Sequence, residues 1–137
     1  MMEFRDLKQQ YQLHKKEIDA ALGNVIKKAD FIQGEQVVLL EQVLAEYVGV
    51  KHCITCANGT DALQLALMVW NIGKGDAVFV PDFTFFSSGE VVPVTGATPV
   101  FVDIEKDTYN ISPESLERAI RYVVTETDFV PKAVIAV

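Results

Sequence analysis

The stretch Cys53-Ile-Thr-Cys-Ala-Asn-Gly-Thr-Asp-Ala-Leu-Gln-Leu-Ala-Leu67 combines the patterns of a strand, a turn and a helix. The β-branched Ile54 and Thr55 at its start predict a strand, which Asn58-Gly59 interrupts. Apolar residues then recur at spacings of three and four, which predicts a helix. Such a junction favours an anion, because the first helical turn has free amide groups and lies at the positive end of the helix dipole. We therefore predict a phosphate-binding turn, to which Thr60 adds a hydroxyl group.

Other interpretations of this turn stay open from these residues alone. It could be a tight turn that binds nothing, or a hairpin at Asn58-Gly59, although the helical period that follows disfavours the hairpin. The sequon Asn58-Gly59-Thr60 would matter only in a secreted protein. The sequence has no Walker-type loop, and its one G-x-G, Gly73-Lys74-Gly75, precedes a predicted strand rather than opening a helix.

The rest of the chain alternates between amphipathic helices and short apolar strands, which indicates the α/β class with a mainly parallel sheet and flanking helices. Ser112 and Pro113 form a strong helix start, as N-cap and first helical residue. We expect residues 1–49 to form an N-terminal helical arm outside the sheet and residues 50–137 to form an α/β domain. The predicted helices lie at about 10–28, 35–48, 60–70, 85–94 and 113–124, and the predicted strands at about 53–57, 77–80, 99–102 and 132–137.

The composition excludes several classes of protein. A net charge of −7 over 137 residues argues against binding nucleic acid through its backbone charge. No apolar run approaches the roughly 18–20 residues of a membrane span, and the N-terminus has no hydrophobic signal core. We therefore expect a cytoplasmic protein without a membrane or nucleic-acid partner. Cys53 and Cys56 have no second pair and no nearby His pair to complete a metal site, so we predict two buried structural cysteines and no metal.

Two predicted loops follow predicted strands of the same sheet. Asn58-Gly59-Thr60 follows one strand, and residues 82–86, with three phenylalanines, follow another. Ligands of open α/β sheets bind at the carboxyl ends of the strands. Amide groups for a phosphate and aromatic faces at one sheet edge suit a flat ring that carries a phosphate tail.

Six segments resemble motifs of the DegT/StrS-like family of sugar aminotransferases, which use pyridoxal 5'-phosphate on the fold type I scaffold. They follow the family's order across nearly the whole chain, at residues 6–11, 31–34, 58–63, 73–76, 81–85 and 96–103. The resemblance implies part of a fold type I large domain, with the two N-terminal helices as an outer arm. It also implies pyridoxal 5'-phosphate as the cofactor of the complete enzyme.

The resemblance assigns cofactor-binding roles to Gly59, Thr60, Asp61 and Phe85. The first three would surround the phosphate, Thr60 through hydroxyl and amide and Asp61 mainly through its backbone. Phe85 would stack on the pyridine ring, an arrangement worth about 0.5–1.5 kcal/mol in aromatic pairs. Family members resemble one another in forming homodimers with active sites at the interface, which would place the loop at residues 31–34 near the partner's site.

The chain departs from the family in its catalytic groups. Pyridoxal phosphate chemistry needs a Lys for the Schiff base and a carboxylate for the pyridinium nitrogen, and in the family both lie further along the chain. No lysine of this sequence occupies the Schiff-base position; they are residues 8, 15, 16, 27, 28, 51, 74, 106 and 132. We therefore expect no catalytic residue within this chain, which would be an inactive, truncated segment.

The resemblance implies the N-terminal segment of an aminotransferase that moves an amino group from an amino acid, usually glutamate, to a nucleotide-linked keto-sugar. Such enzymes serve polysaccharide or amino-sugar biosynthesis. Two alternatives stay open. One is a sugar dehydratase on the same scaffold, in which His replaces the Schiff-base Lys, and the other is a non-catalytic α/β binding or assembly module.

Overall fold

The structure is a computed structural model that describes residues 5–137. The chain divides into two compact units, of which the first ends at Thr55 and the second begins at Cys56. The helices are α1 (Leu7–Lys28), α2 (Glu35–Val48), α3 (Gly59–Val69), α4 (Phe86–Val94) and α5 (Pro113–Glu126), and the strands are β1 (Asp76–Pro81), β2 (Thr98–Val102) and β3 (Val130–Val134).

The first unit contains α1 and α2. Helix α1 begins three residues before the predicted start, because the Asp6 carboxylate accepts the Gln9 amide at 2.8 Å and caps the helix. Helix α2 has the predicted bounds, and Gly49 ends it in the left-handed conformation with φ 75°. Between the helices, the Asp30 carboxylate accepts the Glu35 amide at 3.2 Å, which supplies the cap that Gly34 lacks.

The strand predicted before Asn58 is wrong: residues 52–56 form no strand. The Glu41 carboxylate accepts both the Thr55 amide at 2.8 Å and the Thr55 hydroxyl at 2.9 Å, so a side chain replaces the expected ladder bond. Ile54 is 83% exposed. Strand propensity expresses itself only beside another strand, and the sheet within residues 5–137 contains only β1, β2 and β3.

The second unit is built on a parallel sheet with the strand order β2-β1-β3, which confirms the predicted α/β class. The central strand β1 is buried along almost its whole length, as expected for a strand covered on both faces. Strand β3 begins two residues before the predicted start and ends three before the predicted end, because its pairing with β1 starts at Val130 opposite Asp76.

Alternating side chains of β1 pack into two separate cores. Val78 and Val80 face α3 and α4, in a cluster that includes Leu67 and Val91. Ala77 and Phe79 face the opposite side, where Val123 of α5 packs against them. The second unit is therefore a three-layer arrangement, with α3 and α4 on one face of the sheet and α5 on the other.

The end caps of the second unit follow the sequence closely. Ser112 accepts the Ser115 amide at 3.3 Å and Pro113 opens α5, as predicted.

The cysteines differ from the prediction: Cys53 is half-buried, and Cys56 is exposed, with its thiol donating to the Asn58 carbonyl at 3.2 Å. No helix in the described part of the chain is both long and apolar enough to cross a membrane.

Candidate functional site

The N-terminus of α3 presents two amide groups. Asn58 is the N-cap: its side-chain oxygen accepts the Asp61 amide at 2.9 Å, and its carbonyl accepts the Ala62 amide at 3.2 Å. An α-helix leaves the amides of its first turn without helical partners. The first-turn amides left for a ligand are therefore those of Gly59 and Thr60, whereas the Asp61 amide is already engaged by Asn58.

The surroundings of this turn leave room for an anion. A Cβ atom added to Gly59 would meet nothing within 4 Å, so the approach to its amide is open. Thr60 is half-buried and carries the hydroxyl group expected there. The Asp61 carboxylate is held to one side, where it accepts the Asn58 side-chain amide at 3.3 Å.

A second group of side chains follows the end of β1. The Asp82 amide donates to the Val102 carbonyl at 2.9 Å, which extends the pairing with β2 beyond Pro81. The Thr84 and Ser88 hydroxyl groups are hydrogen-bonded at 2.8 Å, which ties the loop to α4. Phe85 is the N-cap residue of α4 and its side chain is 77% exposed, so its ring is free to receive a ligand.

Phe85 stands at a cavity of about 360 Å³, which lies within the usual size range of small-ligand sites. A Cβ atom added to Gly89 would lie 3.2 Å from two atoms of the Phe101 ring, so a side chain at residue 89 would crowd that wall. The walls are mostly aromatic or proline side chains, and the lining residues are Asp82, Thr84, Phe85, Phe86, Gly89, Glu90, Pro93, Pro99 and Phe101.

Sequence reasoning identified residues 82–86 but missed the opposite wall. Phe101 alternates with Val100 and Val102, and both valines pack on the α5 face of the sheet. A strict strand period therefore places Phe101 on the α4 face, and this signal was available in the sequence. The closeness of Gly89 to Phe101 depends on the packing of α4 against β2, which no local pattern contains.

The structure brings the two groups to the same end of the second unit. Helices α3 and α4 cover the same face of the sheet and pack against each other. Short connections lead from the end of each helix to the start of a strand, so both helices run antiparallel to the parallel strands. Gly59, Thr60 and Asp61 at the start of α3 and Phe85 at the start of α4 therefore lie toward the carboxyl ends of the strands.

The carboxyl group of Glu41, which connects α2 to Thr55 and does not line the cavity, has a displaced pKa. The Thr55 amide and hydroxyl groups stabilise the charged Glu41 carboxylate and hold its pKa below the usual value of 4.5. Among residues 5–137, no group of three or more His, Cys, Asp or Glu side chains could hold a metal ion.

The chain is similar to sugar aminotransferases over most of its length. Residues 12–137 match the DegT/DnrJ/EryC1/StrS aminotransferase family. A Pseudomonas aeruginosa UDP-2-acetamido-2-deoxy-3-oxo-D-glucuronate aminotransferase is 48% identical over 120 residues, which are 88% of this chain and 33% of that protein. The chain thus spans about a third of the length of that curated relative.

Solved structures resemble the chain in fold as well as in sequence. A DegT/DnrJ/EryC1/StrS aminotransferase from Brucella abortus is 47% identical with a TM-score of 0.95, over 99% of this chain and 36% of that one. The Bacillus subtilis protein NtdA, solved with bound cofactor PMP, is 28% identical with a TM-score of 0.79, over 90% of this chain and 27% of that one. The sheet and its flanking helices are therefore part of a fold type I aminotransferase scaffold. The chain belongs to the DegT/DnrJ/EryC1/StrS aminotransferase family.

Proposed function

We propose that the chain is the N-terminal segment of a pyridoxal 5'-phosphate-dependent sugar aminotransferase. The complete enzyme would transfer an amino group from an amino acid, with glutamate as the expected donor, to a nucleotide-linked keto-sugar in polysaccharide or amino-sugar biosynthesis. The observation that carries the proposal is the placement of two free first-turn amides and a Phe85-lined cavity toward the same sheet edge. The named relative, which acts on a UDP-linked oxo-sugar, supports the substrate class.

The residues present fit the phosphate of the cofactor. The Gly59 and Thr60 amides, together with the Thr60 hydroxyl, would donate to its oxygen atoms at the positive end of α3. Asn58 holds this turn in shape through the Asp61 amide, and Asp61 would contribute through the backbone of the same turn. Within residues 5–137, no atom lies within 4 Å of a Cβ atom added to Gly59, so the approach there is open.

Phe85 would hold the pyridine ring by stacking, since its exposed side chain stands at an aromatic-lined cavity. The Thr84–Ser88 hydrogen bond fixes the backbone beside it. Bound pyridoxal phosphate supplies the electron sink for amino-group transfer. We assign the Schiff-base Lys and the pyridinium-binding carboxylate to none of these 137 residues, so the segment alone should bind the cofactor without catalysing transfer.

The proposal includes a cytoplasmic homodimer in which residues 1–49 form an arm and residues 50–137 the cofactor-binding α/β domain. Its support is apolar surface on the first unit. Phe31 and Ile32 are exposed in the loop after α1, and the apolar stripe of α1 has no buried residue. A second copy of the chain would cover this surface.

The test compares pyridoxine 5'-phosphate with pyridoxine by calorimetric titration of the 137-residue chain. Neither molecule has an aldehyde, so neither can form a Schiff base with surface lysines. We expect the phosphate ester to bind at least about tenfold more tightly, as charge-assisted bonds to a helix N-terminus imply. Thr60→Ala should reduce this preference for the phosphate ester, and Phe85→Ala should weaken both molecules.

A matched control is Thr125→Ala, which removes an exposed hydroxyl from the last turn of α5. This variant should bind like the wild type. Equal affinity for the two molecules, or a Thr60→Ala variant that keeps the full preference, would refute the assignment of the phosphate turn.

A further inference from the structure

The loop between β2 and α5 is closed at its base and carries an aromatic residue at its tip. Ile104 and Ile111 form an antiparallel bridge, and the Ser112 amide donates to the Asp103 carbonyl at 2.9 Å. Inside the loop, the Glu105 amide donates to the Asn110 carbonyl at 2.8 Å. The loop is therefore a defined structure that can hold Tyr109 in one place.

Tyr109 adopts a backbone conformation that a bulky residue seldom takes. Its φ is +60°, in the left-handed region that favours glycine, and its amide donates to the Glu105 carbonyl at 2.9 Å. Such a conformation persists only where the surroundings hold it, and it is concentrated at functional sites. A glycine would satisfy the backbone better at this position, so the side chain must have another reason to be there.

The ring of Tyr109 packs on the ring of Phe83. Their centroids are 5.4 Å apart at an interplanar angle of 38°, within the range of favourable aromatic pairs. Phe83 lies between Asp82 and Thr84, which line the cavity, and two residues before Phe85. The aromatic pair therefore joins the tip of the β2–α5 loop to the segment that presents Phe85.

The Phe83–Tyr109 pair adds to three hydrogen bonds that hold the segment at residues 82–85. The Asp82 amide donates to the Val102 carbonyl at 2.9 Å, the Phe85 carbonyl accepts the Ser88 amide at 3.0 Å, and the Thr84 hydroxyl is hydrogen-bonded to the Ser88 hydroxyl. Phe83 itself is more than half exposed, and its ring packs on that of Tyr109. Removing the Tyr109 ring would leave Phe83 without its aromatic partner, so we expect the segment that leads to Phe85 to loosen.

We propose that Tyr109 is a positioning residue that orders residues 82–85 through the Phe83 ring and thereby fixes Phe85 at the cavity. The ordering of residues 82–85 by Tyr109 is argued from the aromatic pair alone. The effect of this ordering on cofactor binding rests on the proposed function. Tyr109 itself is not among the residues that line the cavity.

The test measures amide hydrogen exchange by NMR in the 137-residue chain, with thermal unfolding of each variant in parallel. The reporters are the amides of Asp82 and Ser88, which are hydrogen-bonded on either side of the segment. Tyr109→Ala should accelerate their exchange about two- to tenfold, and Tyr109→Phe, which keeps the ring pair, should restore the wild-type rates.

Tyr109→Gly separates this role from general stability. Glycine suits a positive φ, so this variant should unfold at or near the wild-type temperature, yet the two amides should exchange as fast as in Tyr109→Ala. Tyr122→Ala is the control, because it removes an exposed Tyr from α5 without touching Phe83. Unchanged exchange in Tyr109→Ala and Tyr109→Gly would overturn the ordering role.

Titration with pyridoxine 5'-phosphate then separates the two proposals. Binding in the wild type that weakens in Tyr109→Gly and recovers in Tyr109→Phe supports the positioning of Phe85. Binding that is unchanged in Tyr109→Gly overturns it. If the wild type does not bind the phosphate ester but exchange still accelerates in the variants, the proposed function fails and the ordering of residues 82–85 by Tyr109 stands.

Discussion

Asn58 shows how one side chain prepares a turn for a ligand without contacting it. Its backbone is extended and lies outside the helix, and its side-chain oxygen accepts the Asp61 amide of the first turn of α3. The Gly59 and Thr60 amides are then the ones that remain directed outward. The space beside residue 59 is open, since a Cβ atom added there would meet nothing within 4 Å.

Substitution of Asn58 by Ala should lower the free energy of unfolding by about 1 kcal/mol, because the α3 cap is lost. Asn58→Asp keeps a side-chain acceptor at the same position and should stay within about 0.5 kcal/mol of the wild type. Urea denaturation followed by circular dichroism measures both. An Asn58→Ala variant as stable as Asn58→Asp would show that the cap contributes nothing.

Some residues of the candidate site could be predicted from the sequence and others could not, for physical reasons that differ by residue. Local patterns predicted a phosphate turn at Gly59 and Thr60 and an aromatic loop at residues 82–86, whereas the stacking role of Phe85 came from the family resemblance. The positive φ of Tyr109 has no signal, since tyrosine does not favour that conformation and only the closed loop imposes it. The neighbourhood of Gly89 and Phe101 depends on contacts between elements.

At the scale of elements, capping residues predicted the ends of helices more reliably than residue propensity predicted the strands. Gly49 ends α2 and Ser112 begins α5, as expected from the sequence. The strand expected at residues 53–57 does not form, because a strand needs a neighbour and its hydrogen bonds go to Glu41 instead. A helix makes its own hydrogen bonds, which is why its bounds are easier to predict.

The Glu41–Thr55 contact should make the stability of the first unit depend on pH. The pKa of Glu41 is lowered in the folded state, so the contact stabilises fully above the usual value of 4.5 and is lost as the pH falls through the lowered pKa. We expect Glu41→Gln to be less stable than the wild type near neutral pH. The difference should shrink toward zero below pH 4.5.

The measurement is the free energy of unfolding of both proteins across that range, with Glu46→Gln as the control. Glu46 lies on the same helix. This control should show a pH dependence like that of the wild type. A difference between wild type and Glu41→Gln that grows as the pH falls would contradict the sign of the effect.

At the scale of the whole molecule, the two units differ in how well they bury their apolar residues. The second unit has two cores around β1, whereas α1 has no buried residue and α2 has only Ala45. An amphipathic helix gains most of its stability from packing its apolar face. A second copy of the chain would therefore bury the most additional apolar surface at the first unit.

Leu22 lies on the apolar stripe of α1 and is 59% exposed. Leu22→Glu should weaken self-association by about tenfold or more, since burial of a Leu side chain is worth about 1.5–3 kcal/mol. Lys16→Glu, on the polar side of α1, changes the net charge by a larger amount and serves as the control. Sedimentation velocity over a concentration series measures both, and an equal loss in the two variants would point to charge rather than to the stripe.

Helices α3 and α4 share a direction, so the positive ends of their dipoles lie toward the same end of the second unit. The protein carries a net charge of −7, yet the positive ends of two helix dipoles lie toward the same edge of the sheet. The net charge acts over roughly a Debye length of about 8–10 Å, whereas the field of the helix ends acts only within their first turns. Extended polyanions meet the repulsion along their whole length, but a compact phosphate group can escape most of it. We therefore expect the turn at the start of α3 to favour a small anion over an extended polyanion.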